Sequence, residues 1–334
     1  MKIAVTTVLA ASGLALGLAM ASPVLAAEYR WDMPNAFSAS SSDGVADQIF
    51  TELVEEKTGG RVDITNHFDG SLGYKGVDHL DAVRDGAVPI ARQPMPFFGG
   101  YDPFFLLSTL PFLMQNQEEL EILWEIVRPQ YEELFLEHNQ VMVSMSLFPP
   151  SGLWTREPIL SKEELKGYKL RVYDLNGLKT FERAGAAAVN IGWTDVMPAL
   201  STGAIDGVLT SADLGNASNL QEFLPVFTEI NWAIPIGAAT INKDVWDALP
   251  DDIKAAIREA GEETTRRVIA RLATQVEENY EEMQARGVRI VTDVPAEFSQ
   301  HLWDAAQPTI EDWREKASPE EVALLDQYLA KVGR

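Results

Sequence analysis

One amphipathic stretch near the C-terminus constrains the fold of this 334-residue chain more than any other feature. Between Pro250 and Arg286, apolar residues recur at roughly helical spacing with charged residues between them. Pro250 at the start and Gly287 behind the end are typical of helix boundaries. At ~1.5 Å per residue the helix would span about 55 Å, which is longer than a small domain. The stretch therefore predicts either one helix that runs along two lobes or two helices with a kink near Gly261.

Strand and helix patterns alternate in the first part of the chain. Residues 29–33 have a strand pattern, 45–57 an amphipathic helix pattern, and 62–68 a second strand pattern. Another helix ends at Gly86, before an apolar strand at 87–91. Such alternation favours a parallel α/β sheet, in which ligands are bound by the loops behind the strands. The helix end and strand start at 82–88 recur at 199–205, which favours two similar lobes.

Prolines mark the points at which the chain would cross between the lobes. Pro149, Pro150 and Pro235 suit hinge strands, because proline is excluded from sheet interiors. We expect a first lobe at 28–150 and about 237–275, and a second lobe at about 151–236 and 276–334. The predicted class is α/β, a two-lobed binding protein with mixed or parallel sheets flanked by helices.

The first 26 residues are typical of a secretory signal peptide. Lys2 supplies the positive start, the run from Ile3 to Met20 is apolar, and small or apolar residues precede a cleavage site near Ala26. The alternative is a membrane anchor. Against it, the run is rich in Ala, Gly and Ser, and no later segment reaches ~20 apolar residues. We therefore expect an exported, periplasmic protein.

Composition disfavours several classes of function. Removal of the signal peptide takes away Lys2 and no acid, which changes the formal net charge from −23 to −24. Such a charge repels nucleic acid and anionic membrane surfaces, so neither is an expected partner. The chain contains no cysteine, which excludes disulfides, thiolate metal sites and cysteine nucleophiles.

Motifs of catalysis and metal binding are missing from the sequence. The four histidines, His67, His79, His138 and His301, form no H-x-x-x-H or H-x-H pair, so no metal site is predicted. There is no G-x-S-x-G elbow, no Walker loop and no G-x-G-x-x-G behind a strand. We predict that the protein is not an enzyme and needs no cofactor.

Two motifs in a fixed order carry a resemblance to a known family. The segment 166–172 is a turn at Lys166-Gly167 followed by a short strand that holds Arg171. The segment 199–207 is a helix end, a glycine cap at Gly203 and another strand start. Together they resemble the solute-binding proteins of tripartite ATP-independent periplasmic (TRAP) transporters, the DctP-like family, over essentially the whole mature chain. The resemblance implies one continuous helix that bridges both lobes.

The resemblance also implies a function. Arg171 would grip the carboxylate of a small organic acid, because a guanidinium can form two parallel hydrogen bonds with a carboxylate. The acid would be delivered to the TRAP membrane subunits in sodium-coupled uptake, and we expect the protein to be a monomer. Two alternatives stay open: a binding protein for an ATP-driven transporter or a sensor kinase, and a periplasmic enzyme that acts on a carboxylate.

Other polar candidates lie near the predicted cleft. Arg156 opens the second lobe and is either a second cation of the site or the partner of a nearby acid. Arg92 follows the strand at 87–91 and would point near the cleft mouth. Relatives commonly read Gln-Glu-Asn behind the Asp-Gly turn, whereas this chain reads Val-Leu-Thr at 208–210. This departure disfavours polyhydroxylated ligands such as sialic acid and leaves Thr210 and Asp213 as polar candidates.

Aromatic residues cluster on the loops that are expected to converge on the cleft. They are Phe37, Phe97, Phe98, Trp154, Trp193 and Trp232. Binding sites are mostly apolar with a few fixed polar groups, so these residues predict a flat-walled pocket. The expected ligand is a small carboxylate with an aromatic or apolar body.

Overall fold

A computed structural model of the protein describes residues 27–334, so the predicted signal peptide lies outside the described residues. The strands in this part are β1 (Tyr29–Pro34), β2 (Val62–His67), β3 (Ile90–Gln93), β4 (Gln140–Leu147), β5 (Ser151–Thr155), β6 (Lys169–Val172), β7 (Ala187–Asn190), β8 (Gly207–Ser211), β9 (Val226–Thr228), β10 (Ile236–Asn242) and β11 (Arg289–Val291). The α-helices are α1 (Ser42–Thr58), α2 (His79–Arg84), α3 (Gln117–Glu137), α4 (Lys162–Leu165), α5 (Leu175–Arg183), α6 (Val196–Thr202), α7 (Ala212–Ala217), α8 (Lys243–Asp247), α9 (Asp251–Ala285), α10 (Ala296–Lys316) and α11 (Pro319–Lys331). From Ala27 onwards, the helices are all either too short or too polar to span a bilayer.

The strands form two separate groups, which define the first and the second lobe. In the first lobe, β1 pairs in parallel with β2, and β10 lies between β3 and β4, antiparallel to both. In the second lobe, six strands follow the order β11-β9-β5-β8-β6-β7, with β6 parallel to β7 and β8 and β5 antiparallel to β8 and β9. The first lobe thus contains one small parallel sheet and one antiparallel sheet, and the six-stranded sheet of the second lobe is of mixed direction. The predicted α/β class with two lobes is confirmed.

Two segments of the chain cross side by side from one lobe to the other. The peptide N–H of Phe148 donates to Pro235 O at 3.0 Å, and the N–H of Ser151 donates to Ala233 O at 2.9 Å. The prolines thus lie in the hinge segments between β4 and β5 and between β9 and β10, as their exclusion from sheet interiors predicts. The exact residue limits of the lobes remain a prediction.

Helix α9 is continuous from Asp251 to Ala285, about 52 Å at ~1.5 Å per residue. Its first half packs on α1 and β4 of the first lobe, and its last part packs on α7 and β11 of the second. Gly261 lies where the helix meets β4: a Cβ there would be 1.7 Å from the carbonyl oxygen of Val143. The glycine permits this close approach and does not kink the helix. The single helix that spans both lobes is confirmed.

The C-terminal helix α11 lies on the first lobe, although the tail was expected with the second. Leu325 and Tyr328 are buried in the core that also contains Trp124 and Phe135 of α3. The Tyr328 hydroxyl donates to Leu113 O at 2.9 Å. The preceding helix α10 packs on α5 of the second lobe, so the chain crosses between the lobes again near its end.

Helix α1 begins earlier than the predicted residue 45. The Ser41 side chain accepts the N–H of Gly44 at 3.2 Å and caps the helix, so Ser42 and Asp43 lie in its first turn. This shift brings a helix terminus, with its free N–H groups and an acidic side chain, to the boundary between the lobes.

Candidate functional site

A cavity lies between the two lobes, next to the hinge. It leaves about 470 Å³ free of protein atoms. Both lobes and the hinge supply its walls: Phe37, Asp43, Pro94, Pro96, Phe97, Phe148, Ser151, Arg171, Tyr173, Trp193, Thr210, Ser211, Leu214, Pro235, Ile236 and Gly237. Most of these residues are apolar, with a few polar side chains among them, which is the make-up of a small-molecule site.

Arg171 is the cation of this cavity. It lies on β6 between Leu170 and Val172, and its side chain is held by two backbone carbonyls. Its Nε–H donates to Ile191 O at 3.0 Å and its Nη1 to Leu209 O at 3.3 Å. Only 1% of the residue is exposed. The guanidinium is therefore fixed in orientation by the second lobe.

No carboxylate in residues 27–334 lies within 4.0 Å of the Arg171 guanidinium. The guanidinium carbon lies 5.4 Å from the Trp193 ring centroid and 5.8 Å from that of Tyr173. Burial lowers the pKa of Arg171 to about 10, so the group is still a cation at neutral pH. A buried charge that lacks an ionic partner is costly, and an anion in the cavity would relieve that cost.

The opposite wall carries a carboxylate, that of Asp43 in the first turn of α1. It is 1% exposed, and burial raises its pKa to about 6, although Arg92 acts in the opposite direction. Its Oδ1 accepts a hydrogen bond from the Ser146 hydroxyl and lies 4.0 Å from Arg92 Nε. The cavity therefore has a cation on the second lobe and an acid on the first.

Four aromatic rings form one continuous wall of the cavity. The ring centroid of Phe37 lies 5.1 Å from Phe148, 6.3 Å from Phe97 and 6.4 Å from Trp193. These contacts join rings of both lobes and of the hinge. Aromatic pairs at these separations and tilts contribute more stabilisation than their buried surface area alone would give.

Five residues singled out from the sequence line this cavity, namely Phe37, Phe97, Arg171, Trp193 and Thr210. Sequence reasoning missed Asp43, Phe148 and Tyr173, which line it as well. The signal for Asp43 was present as a serine cap followed by an acid in the first helical turn. Phe148 directly precedes the Pro149-Pro150 hinge, which is where the two lobes meet.

The prediction that Arg92 points near the cleft mouth is wrong. The strand lies at 90–93 instead of 87–91, so Arg92 is inside β3 rather than behind it. Its side chain is fully buried, and its Nε donates to Asp47 Oδ1 at 2.7 Å. Asp47 also accepts from the Asn35 amide at 2.7 Å. Arg92 therefore forms a structural ion pair behind Asp43 and does not line the cavity.

Arg156 does not line the cavity either. Its side chain is 54% exposed and its Nη1 lies 3.8 Å from Asp206 Oδ1, which is the surface pairing left open by the sequence. An exposed pair at this distance contributes little to stability, about 0–1 kcal/mol at most.

Three of the predicted cleft aromatics belong to the cores of the lobes. Trp154 is fully buried, donates its indole N–H to Ser211 O at 3.2 Å and packs on Phe227. Trp232 is fully buried between Phe112 and Phe181, and Phe98 packs on Phe105. Each lies within three residues of a residue that lines the cavity or the hinge, but its side chain packs into a core instead.

Asp213 lies outside the cavity lining and joins the lobes instead. It lies in the first turn of α7 in the second lobe, and its Oδ2 accepts a hydrogen bond from the backbone N–H of Ser42, in the first turn of α1, at 2.7 Å. Its Oδ1 accepts from the Gln275 amide of α9 at 3.2 Å, and Gln275 also donates to the Ser42 hydroxyl. We call Asp213, Ser42 and Gln275 the interlobe latch. A second, exposed contact between the lobes is the ion pair of Lys75 with Asp195 at 2.9 Å.

We expect Asp213→Ala to weaken ligand binding by about 5- to 100-fold. With the lobes together as they are here, the Ser42 and Gln275 donors would lose their acceptor, which costs about 1–3 kcal/mol. If the lobes moved apart, water would satisfy these donors, so the change would destabilise only the arrangement that encloses the cavity. Isothermal titration calorimetry measures the change. The matched control is Asp195→Ala, which removes the exposed contact and should cost less than about 1 kcal/mol. Equal effects of the two changes would contradict the latch.

Among the described residues, no group of three or more His, Asp or Glu side chains is arranged to hold a metal ion. The cavity lining contains one acid, Asp43, and no histidine or lysine. Its polar groups are suited to recognise an anion and hydrogen-bonding groups by shape and charge.

Two α/β lobes around one lined interlobe cavity define the class of two-lobed solute-binding proteins. The family model for "Bacterial extracellular solute-binding protein, family 7", DctP, matches residues 35–316. The chain therefore belongs to this family, and the resemblance predicted from the motifs around Arg171 and Gly203 is confirmed.

Similar proteins of known structure cover nearly the whole described chain. DctP7 of Bordetella pertussis, an extracytoplasmic solute receptor binding pyroglutamic acid, superimposes with a TM-score of 0.86 at 25% identity, over 90% of this chain and 99% of its own. A TRAP solute-binding protein from a marine metagenome, specific for pyroglutamate, has a TM-score of 0.85 at 26% identity with the same coverage. The C4-dicarboxylate-binding periplasmic protein DctP of Rhodobacter capsulatus is 23% identical over 324 residues, 95% of this chain and 96% of its own.

Proposed function

We propose that the protein binds a small organic acid in the interlobe cavity and delivers it to the membrane subunits of a TRAP transporter. The observation that carries the proposal is Arg171, a buried guanidinium on the cavity wall with no carboxylate within 4.0 Å among residues 27–334, although Asp174 acts on it from further away. A carboxylate would neutralise it through charge-assisted hydrogen bonds. Membership of the DctP family supports the transport role.

The rest of the ligand would pack against the aromatic wall of Phe37, Phe97, Phe148 and Trp193. These rings match a small apolar or planar body better than a polyhydroxylated one, because a sugar hydroxyl facing them would lose its hydrogen bonds to water. Pyroglutamate, bound by two of the similar proteins, is a carboxylate on a small flat ring. It is therefore the first ligand to test.

Binding would favour the closed arrangement of the lobes, since Arg171 belongs to the second lobe and Phe37 and Asp43 to the first. A ligand shifts an open–closed balance only by its differential affinity for the two forms, and contacts to both lobes supply that difference. The interlobe latch would add to it in the closed form only. The closed protein would then dock on the membrane subunits as a monomer, in the periplasm, and uptake would be coupled to sodium.

The proposal includes no chemical change of the ligand. The cavity lining offers Ser151, Tyr173, Thr210 and Ser211 as hydroxyls and no histidine or lysine that could act as their base. Burial and the nearby Asp174 raise the pKa of Tyr173 far above neutral, so its hydroxyl stays protonated and serves as a hydrogen-bonding group.

A thermal-shift screen tests the proposed function. We expect lactam, keto and aromatic monocarboxylates to raise the melting temperature, because a ligand at ~100 times its Kd adds ~2.7 kcal/mol to the stability of the protein. The control is the primary amide of each active acid, which has the same shape without the charge. Equal stabilisation by acid and amide, or recovery of a chemically altered ligand after incubation, would contradict the proposal.

A further inference from the structure

Asp43 has one hydrogen-bonding position that no described residue fills. Its Oδ1 is beside the Ser146 hydroxyl and Arg92, whereas its Oδ2 is buried without a hydrogen-bond partner among residues 27–334. Asp43 also lines the cavity, opposite Arg171. An unpaired buried carboxylate oxygen is costly, and a buried polar atom of this kind calls for a specific explanation.

The cavity in front of Asp43 disfavours a cation as its missing partner. Behind Asp43, the charge of Arg92 is balanced by its partner Asp47, and Asp213 of the interlobe latch is a further acid, so this side alone does not exclude a cation. In front of it, the same cavity holds the Arg171 cation among apolar walls, which would repel an ammonium group and strip it of water. A neutral N–H or O–H group is not repelled by Arg171 and loses less hydration energy than an ammonium group. It can still donate a hydrogen bond to Asp43 Oδ2.

We propose that Asp43 is the second anchor of the site and accepts a hydrogen bond from a neutral N–H or O–H donor of the ligand. The substrate class is therefore narrower than organic acids in general: small carboxylates that carry a lactam N–H or a hydroxyl group. This inference rests on the proposed function, because it assumes that Arg171 holds the ligand carboxylate. Such a ligand spans both lobes, from the guanidinium on β6 to the carboxylate on α1.

Gly237 keeps this anchor in place. A Cβ at residue 237 would lie 2.6 Å from the Ser146 hydroxyl and 3.2 Å from Asp43 Oδ1. The glycine on β10 thus leaves room for the hydrogen bond between Ser146 and Asp43, which fixes Oδ1 and leaves Oδ2 as the free acceptor.

Pairs of ligands that differ in one donor test the inference by calorimetry. The first pair is pyroglutamate and 5-oxotetrahydrofuran-2-carboxylate, in which a ring oxygen replaces the lactam N–H. The second pair is 2-hydroxybutanoate and butanoate. For the wild-type protein we expect the donor-bearing member to bind about 10- to 100-fold more tightly, which is the effect of one hydrogen bond to a charged acceptor.

Asp43→Asn is the matched variant. The amide oxygen should stay beside the Ser146 hydroxyl and Arg92, so the amide nitrogen takes the place of Oδ2 and faces the ligand with a donor. We expect pyroglutamate affinity to fall about 10- to 100-fold and that of the lactone to stay the same or rise, so that the preference disappears or reverses. A thermal melt of the unliganded variant checks that it folds.

The outcomes separate this inference from the proposed function. If both members of each pair bind equally well to the wild-type protein and still need Arg171, the role of Asp43 is refuted and the organic-acid function stands. An unchanged preference in Asp43→Asn refutes it as well, as does a wild-type protein that binds only carboxylates without a donor. If no carboxylate binds at all, the proposed function fails first, and the inference falls with it.

Discussion

Arg171→Ala is expected to lose about 2–5 kcal/mol of ligand affinity, a decrease of at least 30-fold in the association constant. The truncated side chain leaves the ligand carboxylate buried without a counter-charge, and that penalty adds to the lost hydrogen bonds. Arg171 is the one cation among the described residues that line the cavity, so no neighbouring side chain can take its place. Calorimetry with the acid that gives the largest thermal shift measures the loss.

Arg171→Lys separates charge from shape at the same position. We expect it to bind nearly as poorly as the alanine variant, because an ammonium group cannot present the planar fork to a carboxylate or span the two backbone carbonyls. The control is Arg156→Ala, an arginine of the same lobe that is exposed and does not line the cavity, and it should leave affinity unchanged. Wild-type affinity in both Arg171 variants would refute the assignment.

Gly261→Ala is expected to destabilise the protein by about 1–3 kcal/mol, although alanine is the better helix former by about 1 kcal/mol. The new methyl group would lie 1.7 Å from Val143 O. The obstacle is the backbone of β4, which cannot rotate away like a side chain, so α9 must move off that strand. Tm should fall by roughly 2–10 °C, as followed by circular dichroism.

Gly100→Ala is the control for this prediction. A Cβ at residue 100 meets no atom within 4 Å, and the backbone there is not in the left-handed region. Its Tm should change by less than about 1–2 °C, since surface substitutions are usually within ±0.5 kcal/mol. A Gly261→Ala protein that melts like the Gly100→Ala control would show that α9 can shift along the sheet without cost.

Much of the fold could be predicted because its signals are periodic and local. The apolar spacing in α9, the glycine at the end of α1 and the hinge prolines each mark an element by its own chemistry. Arg171 could be located because it lies on a short strand within a motif of the family. The packing of α11 on α3 could not be predicted, since it depends on which apolar faces meet across 200 residues of chain.

The errors at the site come from the two-residue period of strands. The strand ends two residues later than predicted, which places Arg92 inside β3 instead of in a loop, with its side chain buried against Asp47. Trp154 lies on a strand near the hinge, yet its side chain faces the core of the second lobe. The serine cap of α1 could have marked Asp43 as a residue of the first helical turn, but its unfilled hydrogen-bonding position is visible only in the packed structure.

Because α11 returns to the first lobe, the C-terminus can carry a label that reports the proposed movement of the two lobes. A fluorophore fused behind Arg334 would travel with the lobe that holds Asp43, since Arg334 donates to Leu113 O at 2.6 Å. The chain has no cysteine, so Lys162→Cys on the exposed start of α4 would give a unique site for a second dye on the other lobe. Energy transfer between the two dyes would then report occupancy of the cavity directly, turning the receptor into an optical sensor for its own cargo.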